Sequence, residues 1–452
     1  MNFIEYLKKI KQKYSISNTE ILEELNKNNL SMGKSALSHK LSGERPIDQK
    51  EFDVILRVLG LTVSEEMKLK SLYKIHCIGE KKYEEIQCMK EFVELFNEEI
   101  IPYIPEHKTQ IDNTLKIDNH QMMNRVLYTV MNEVWGKSKI KVLCQPEYRT
   151  LSDILISLAM SKGKADVEQI VCFNNSEKRE NNEYNIRNIK TLCNIVMRNN
   201  HHKIKYYYDD IQSHINEFSL FPFMVISDEY VMLITSDLES GYCFHNNDFA
   251  EYLSVRFNNL YSKSQPLFEE IHNDLEYLKV SMEMEQNTFK EFYTLQFHPC
   301  VLFEGNLEYA QKKIKDSFPY KEEMIDLYIK RISYSNKYKS YHIYSKDGMD
   351  DFLVTGRTLD LSEALFHPLD VEERKEIVEH LKNSSQNKNG YAISGNTLKI
   401  PKILTIACYD NGNIIIGYKN PDFAGYQWII KERSMWKSMM TFLKYLCSGW
   451  ES

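Results

Sequence analysis

Apolar side chains along the first seventy-odd residues recur at three- and four-residue steps, the period of helices with one buried face. Ile4, Leu7, Ile10 and Tyr14 give a helix over about residues 2–14, with Lys8, Lys9, Lys11 and Lys13 on its remaining surface. Ser17 followed by Glu20 is a capping-box pattern that starts a second helix, lined inside by Ile21, Leu22 and Leu25. The polar stretch Asn26–Asn29 then breaks the period, and Leu30 and Met32 are placed to anchor a turn. A third helix, about Lys34 to Leu41, buries Leu37 and Leu41 one turn apart and exposes Lys34, Ser35, Ser38, His39 and Lys40. Gly43 suits the left-handed position that ends a helix, and Pro46 cannot continue one. Phe52, Ile55, Leu56 and Leu59 define a fourth helix closed by Gly60, and Thr62 to Glu66 opens a fifth through Leu69 and Leu72.

Beyond this head the pattern changes. Helices are expected over about 81–97 and 119–134, separated by the proline-broken IIPYIPEH. From Lys137 short strands (140–144, 167–173, 204–208) alternate with helices (151–160, 185–198), which predicts a parallel or mixed sheet with helical cover. Residues 223–226 and 230–235 flank Ser227-Asp228-Glu229 as a hairpin, and helices are expected over 249–261 and 268–278. In the tail, Lys346-Asp347-Gly348 reads as the turn of a hairpin. Helices are expected over 361–366 and 371–382, and Gly395-Asn396 as the turn of an extended pair. Asp410-Asn411-Gly412 between two apolar runs is the strongest hairpin signal, followed by a strand near Trp428 and a terminal helix over 434–446. The expected architecture is multidomain. It has an all-α helix-turn-helix head (1–76), a helical connector (77–135), an α/β body (136–335) and a C-terminal α+β domain (336–452).

Composition narrows the class. With 42% hydrophobic and 27% charged residues the chain is ordinary globular material. No run of eighteen apolar residues occurs and the N-terminus is amphipathic, so neither a membrane span nor a signal peptide is expected. The nine Cys include no C-x-x-C pair, which points to reduced, buried thiols and a cytoplasmic setting. The net charge of −7 is unevenly spread: residues 1–76 carry 13 Lys/Arg against 10 Asp/Glu, the remainder 44 against 54. A mildly basic head on an acidic body allows DNA contact confined to the head.

Ser35-Ala36-Leu37-Ser38-His39-Lys40-Leu41-Ser42-Gly43-Glu44-Arg45-Pro46, followed by Phe52-x-x-Ile55-x-x-x-Leu59-Gly60-Leu61-Thr62, resembles the lambda-repressor-like helix-turn-helix family of the Cro/CI or XRE type. The resemblance covers about one sixth of the chain. It implies that the third helix enters the major groove, with Lys34, Ser35, Ser38 and His39 facing bases. It makes Ser42, Arg45 and Lys50 phosphate contacts. Such heads read palindromic sites as pairs, so a homodimer on double-stranded DNA is expected.

Catalytic signatures are missing from the sequence. There is no G-x-G-x-x-G, no phosphate-loop motif, no G-x-S-x-G elbow and no H-E-x-x-H. His201-His202 with Asp209-Asp210 is the densest ionisable cluster, and a solvated loop before a strand is its default reading. Tyr206-Tyr207-Tyr208 can line an apolar ligand pocket or simply pack a sheet. The expectation is a cytoplasmic, dimeric DNA-binding repressor, not an enzyme, without cofactor or metal. Its large C-terminal region senses a small-molecule or peptide effector or mediates oligomerisation. The alternatives are a helix-turn-helix interaction adaptor and an enzyme carrying such a head.

Overall fold

The computed structural model describes residues 1–97, 109–175, 183–209, 220–287, 290–300, 311–335, 338–358, 366–386, 390–393, 398–418 and 426–448. The chain divides into two compact units, Met1–Glu85 and Ile86–Ser452.

The first unit is all helical: α1 (Phe3–Lys13), α2 (Asn18–Lys27), α3 (Lys34–Ser42), α4 (Gln49–Leu59), α5 (Val63–Ile78) and the start of α6 (Glu80–Glu94). Capping boxes at Asn2/Glu5, Ser17/Glu20, Asp48/Glu51 and Thr62/Glu65 start α1, α2, α4 and α5. Each box satisfies two amide groups that a helix start otherwise leaves unpaired. The core centres on three rings: Phe52 stacks on Tyr73 at 3.8 Å between centroids, and Phe3 meets both edge-on. The Tyr73 hydroxyl donates to the Ile47 carbonyl (2.9 Å), so its polar end is satisfied inside the core.

The second unit holds two sheets of the same design. Its elements are β1 (Thr114–Ile117), α7 (His120–Val134), β2 (Ile140–Leu143), α8 (Arg149–Lys162), β3 (Val167–Asn174), α9 (Glu183–Val196), β4 (His202–Asp209), β5 (Phe223–Ile226), β6 (Tyr230–Ile234), β7 (Gly241–His245) and α10 (Asn247–Lys263). After β8 (Gln265–Pro266) come β9 (Glu269–Ile271), α11 (Asp274–Gln286), β10 (Glu291–Gln296), α12 (Lys321–Ser335), β11 (Lys339–Ser345), α13 (Lys346–Thr355), α14 (Val371–Gln386), β12 (Gly390–Ile393), β13 (Leu404–Tyr409), β14 (Ile414–Tyr418), β15 (Tyr426–Ile430) and α15 (Arg433–Cys447). The sheet orders are β1-β7-β6-β5-β2-β3-β4-β8 and β9-β15-β14-β13-β10-β11-β12.

Apart from β8, which lies beside β4 and has no counterpart among the described strands, the two correspond strand for strand. Three parallel strands (β2-β3-β4 and β10-β11-β12) are joined through helical crossovers. An antiparallel meander (β5-β6-β7 and β13-β14-β15) attaches to the first parallel strand. The strand that precedes each set closes it antiparallel, β1 on β7 and β9 on β15. One helix follows each meander, α10 and α15. The second unit is an internal structural repeat, spanning about residues 114–263 and 269–447.

The head and the mixed α/β character of the rest agree with the pattern of the sequence. Several local expectations differ. The segment expected to be a helical connector contains the strand β1. The boundary expected at 335/336 falls between β10 and β11, which pair directly. Residues 346–355 are helix α13, not the second half of a hairpin. Ser345 Oγ accepts from the Gly348 amide (2.8 Å) and donates to the Phe297 carbonyl (3.0 Å). A Cβ on Gly348 would lie 1.7 Å from that carbonyl oxygen, so only glycine fits there. The helix expected over 268–278 is instead strand β9 followed by α11. The expected helix 361–366 lies outside the described residues except for Phe366, and so does the Gly395-Asn396 turn.

The tyrosine run makes packing and hydrogen-bond contacts within the second unit. Tyr206 meets the Phe173 ring, Tyr207 joins the core beneath α10, and Tyr208 donates to Glu432 (2.7 Å). The His201-His202 pair is likewise split. His201 is exposed beside Asp166 (3.0 Å), while His202 is buried in β4 with Nε2 2.9 Å from Gln169 Oε1.

Burial pushes the His202 imidazole down to about 3. An unfolded chain takes up a proton there near the ordinary value of about 6.5, which the folded chain refuses until far lower pH. Stability from this site is therefore full above about pH 6.5 and declines as pH falls below that value. Denaturant unfolding followed from pH 7.5 to pH 4.5 is expected to show a shallower pH slope in His202→Asn than in the unmodified chain; equal slopes would contradict it.

Candidate nucleic-acid interface

The two helices expected to form the helix-turn-helix are α2 and α3, separated by residues 28–33. Leu37 and Leu41 are buried and hold α3 against the head. Gly33 begins α3 without a side-chain cap, which leaves the first-turn amides open to an acceptor. Gly43 ends it at φ 90°, where a Cβ would come within 3.1 Å of the Ile4 side chain.

The expected contact residues differ in their surroundings. Lys34, Ser35 and Arg45 are exposed. Ser38 and Ser42 line a groove of about 410 Å³ between α1 and α3, together with Lys8 and Lys11 of α1 and Asn18 at the start of α2. Lys50 lies elsewhere, in a second groove of about 480 Å³ with Asn28, Arg57, Asp53 and Glu66. His39 and Ser42 also meet an acid: His39 Nδ1 lies 2.5 Å from Glu44 Oε2, and Ser42 Oγ donates to Glu44 Oε1 (3.1 Å). The His39 and Ser42 contacts hold the Glu44 carboxyl below the usual carboxylate range.

Lys40 departs from its expected exposure. Its Nζ donates to Glu51 (2.7 Å) and to the Pro46 carbonyl (2.9 Å), and Glu51 is only 6% exposed. Lys40 therefore ties α3 to the start of α4 and cannot reach DNA without leaving that buried carboxylate without its cation.

Lys8, Lys11 and Asn18 were not singled out from the sequence. The alternation of lysines around the first helix was the available signal, but only the packing of α1 beside α3 brings them to Ser38 and Ser42. Lys11 bonds to the Asn18 side chain, and burial lowers its pKa. The groove lining contains these two lysines and no carboxylate. The second groove mixes Lys50, Arg57 and Lys70 with Asp53 and Glu66, and its Arg57 is already bonded to Asn28 (3.0 Å). Of these two grooves the first has the more one-signed lining, the character that attracts a polyanion. Among the described residues no group of three or more His, Cys, Asp or Glu could hold a metal ion, and no helix is long and apolar enough to cross a membrane.

No protein-family model matches the chain, and no curated protein matches it. Solved structures that match include the archaeal chromatin protein TrmBL2, described as showing a novel mode of DNA binding. It is 10% identical with a TM-score of 0.23, covering 55% of this chain and 100% of that one. Phosphatidylserine synthase of Haemophilus influenzae Rd KW20 matches at 9% identity and TM-score 0.25, over 81% of this chain and 91% of that one. Polyphosphate kinase from Porphyromonas gingivalis matches at 9% identity and TM-score 0.22, over 73% and 49%. At these TM-scores the function of this chain has to be argued from its own residues.

The Lys40–Glu51 pair makes a direct prediction for the head. Lys40→Ala leaves a buried carboxylate without its cation, which costs about 1–3 kcal/mol. Lys34→Ala, at an exposed position, should change stability by less than about 0.5 kcal/mol. Hydrogen exchange of the α3 and α4 amides in the full chain measures both; equal effects would remove the structural role assigned to Lys40.

Proposed function

We propose that this protein is a DNA-binding transcriptional regulator of the repressor type that sets the α1–α3 face of its head on duplex DNA. The observation that carries the reading is the groove lined by Lys8, Lys11, Ser38 and Ser42, whose lining holds two lysines and no acid, Glu44 reaching it only through its bond from Ser42. Lysines neutralise phosphates and set register. The short hydroxyls of α3, with exposed Lys34 and Ser35, are the groups that reach base edges. The open amide end of α3 adds a further acceptor for phosphate oxygen. Arg45 remains a phosphate contact in this reading. Lys50 lines the separate, mixed-charge groove.

One such head makes few phosphate contacts, so the working form is a homodimer that reads two half-sites. The repeat unit of residues 86–452 takes the role of effector sensing or assembly, with a small molecule or peptide as effector. No catalytic step belongs to this reading, and the site of action is the cytoplasm.

The test is anisotropy of a labelled duplex titrated with the full chain at about 50 to 200 mM salt. Lys8→Ala and Lys11→Ala should each weaken binding on all sequences and reduce the salt slope by about 1. Lys34→Glu with Arg45→Glu should abolish binding while the fold persists, since both positions are exposed. Affinities unchanged in all of these variants would overturn the proposal and favour the adaptor role. Glu44→Gln removes a negative charge beside His39 and Ser42 and should tighten binding by roughly threefold. Tightening that persists undiminished in high salt would argue against this electrostatic cause.

A further inference from the structure

The two repeats treat one helix differently. In the second repeat α15 packs on β10, β11 and β13 and also on α9 of the first repeat. Its outward positions are small and fully buried: Ser434 Oγ meets Asn185 Nδ2 at 2.8 Å, and Ser438 is 0% exposed. The counterpart α10 packs on β2, β5 and β6 of its own sheet. Counted from the caps Asn246 and Glu432, Ser434 and Ser438 correspond to Asp248 and Tyr252. Tyr252 is 57% exposed and Val255 is 54% exposed. The position that one repeat covers with a helix is uncovered in the other.

We propose that a second copy of this chain covers it, through an antiparallel pairing of α10 with α10. Asp248, Tyr252, Val255 and Asn259 follow one another at steps of four, three and four, the seam spacing of two helices packed nearly in line. When such a pair is centred between Tyr252 and Val255, each Tyr252 faces Val255 of the second copy. The same register sets Glu251 opposite Arg256 of the second copy, twice by symmetry. A two-fold interface requires this self-complementarity of i with j and j with i. Glu251, Val255 and Arg256 are all exposed, and the Arg256 guanidinium lies over the Tyr252 ring at 5.4 Å, which holds the ring in place on the seam.

Two helices of this length alone make a small contact, and a stable interface buries about 1,200 Å² or more. A ladder of rings extends the patch. Phe249 of α10 meets Phe244, Phe244 meets Tyr242, and Tyr242 meets Phe221, leading from the helix to the outer strands of the sheet. The pairing supplies the dimer on which the reading above relies, yet it is measured without DNA, so the two stand or fall separately.

The test is the oligomeric state of the full chain, by sedimentation velocity in the absence of DNA. The unmodified chain should be a dimer. Tyr252→Glu or Val255→Glu should raise the dimer dissociation constant by roughly 30-fold or more while circular dichroism stays unchanged. Glu251→Arg or Arg256→Glu alone should raise it roughly tenfold by setting like charges opposite each other. The double variant E251R/R256E should restore dimerisation, which only a contact between these two positions predicts. A monomeric unmodified chain would overturn the proposal. So would a dimer unaffected by Val255→Glu, or one lost instead when the exposed head residues Val63 and Met67 are changed to Glu. A dimer that dissociates as expected but binds no duplex would leave this interface standing and remove the DNA reading.

Discussion

Each sheet of the second unit is organised by one strand that pairs in parallel on one side and antiparallel on the other. β2 lies between β3 and β5, and β10 between β11 and β13. Parallel neighbours cannot be joined by a tight turn, so the chain must cross over with a helix; antiparallel neighbours can follow at once. The helices α8 and α9 on one flank, and the short turns at Asp228 and at Asn411-Gly412 on the other, follow from that single constraint. Strands enclosed in this way lose the in–out alternation of an open sheet. In β3, Val167, Ile170, Val171, Cys172 and Phe173 are all buried. The polar exception, Gln169, is matched on both sides: its Nε2 donates to the Cys144 carbonyl (3.0 Å) and its Oε1 meets His202.

The two repeats are joined by a buried polar seam that also satisfies its own groups. Glu432 is 0% exposed, and its carboxylate accepts from the Met435 amide and from the Tyr208 hydroxyl, both at 2.7 Å. Asn185 exchanges bonds with the backbone of Asn174 (2.9 and 3.0 Å) and donates to Ser434. A buried polar group left unmatched costs about 1–3 kcal/mol, so such a seam is stable only as a complete set. Completeness here depends on the ends of β3 and β4, the first turn of α9 and the first turn of α15 arriving together. This fixes the partner of α15. It also explains the asymmetry of the repeats, because Asp248 and Tyr252 of α10 are not the small residues that admit a close helix.

The head was legible in the sequence because its signals are local. Helical period, the Ser17/Glu20 box and the Gly43 and Gly60 ends all act within a few residues, and α1 to α5 follow them closely. The hairpins at 227–229 and 410–412 were legible for the same reason. Lys346-Asp347-Gly348 misled because the same residues suit a turn or a helix start. The Ser345 hydroxyl decides between them by taking the Gly348 amide. Three features were illegible because they are tertiary. Lys40 looks like any surface lysine until Glu51 is brought beside it. The Lys8–Lys11 groove exists only once α1 lies against α3. Corresponding helix positions of the repeat mostly carry different residues, as Tyr252 and Ser438 illustrate, and the repeat is visible in the order of strands.

Charge in the head shows why arrangement matters more than total. The excess of three positive charges over residues 1–76 is too small to attract DNA strongly if it is spread evenly. Several of the head's acids are committed to particular partners. Glu51 holds Lys40, Glu44 holds His39, and Glu65 holds Lys13 and Tyr14 at 2.6 Å each. The Lys13 contact, with those of Tyr14 and Thr62, brings the Glu65 carboxyl down to about 2, so it remains charged wherever the protein is folded near neutral pH. With these pairs closed, Lys8, Lys11 and Lys34 are left without a carboxylate partner among the described residues. Lys8 and Lys11 share the groove with the α3 hydroxyls, and Lys34 stands at the open amide end of the same helix. Three of the head's cations thereby stand around one helix, the arrangement by which a modestly basic domain can offer a polyanion a particular face.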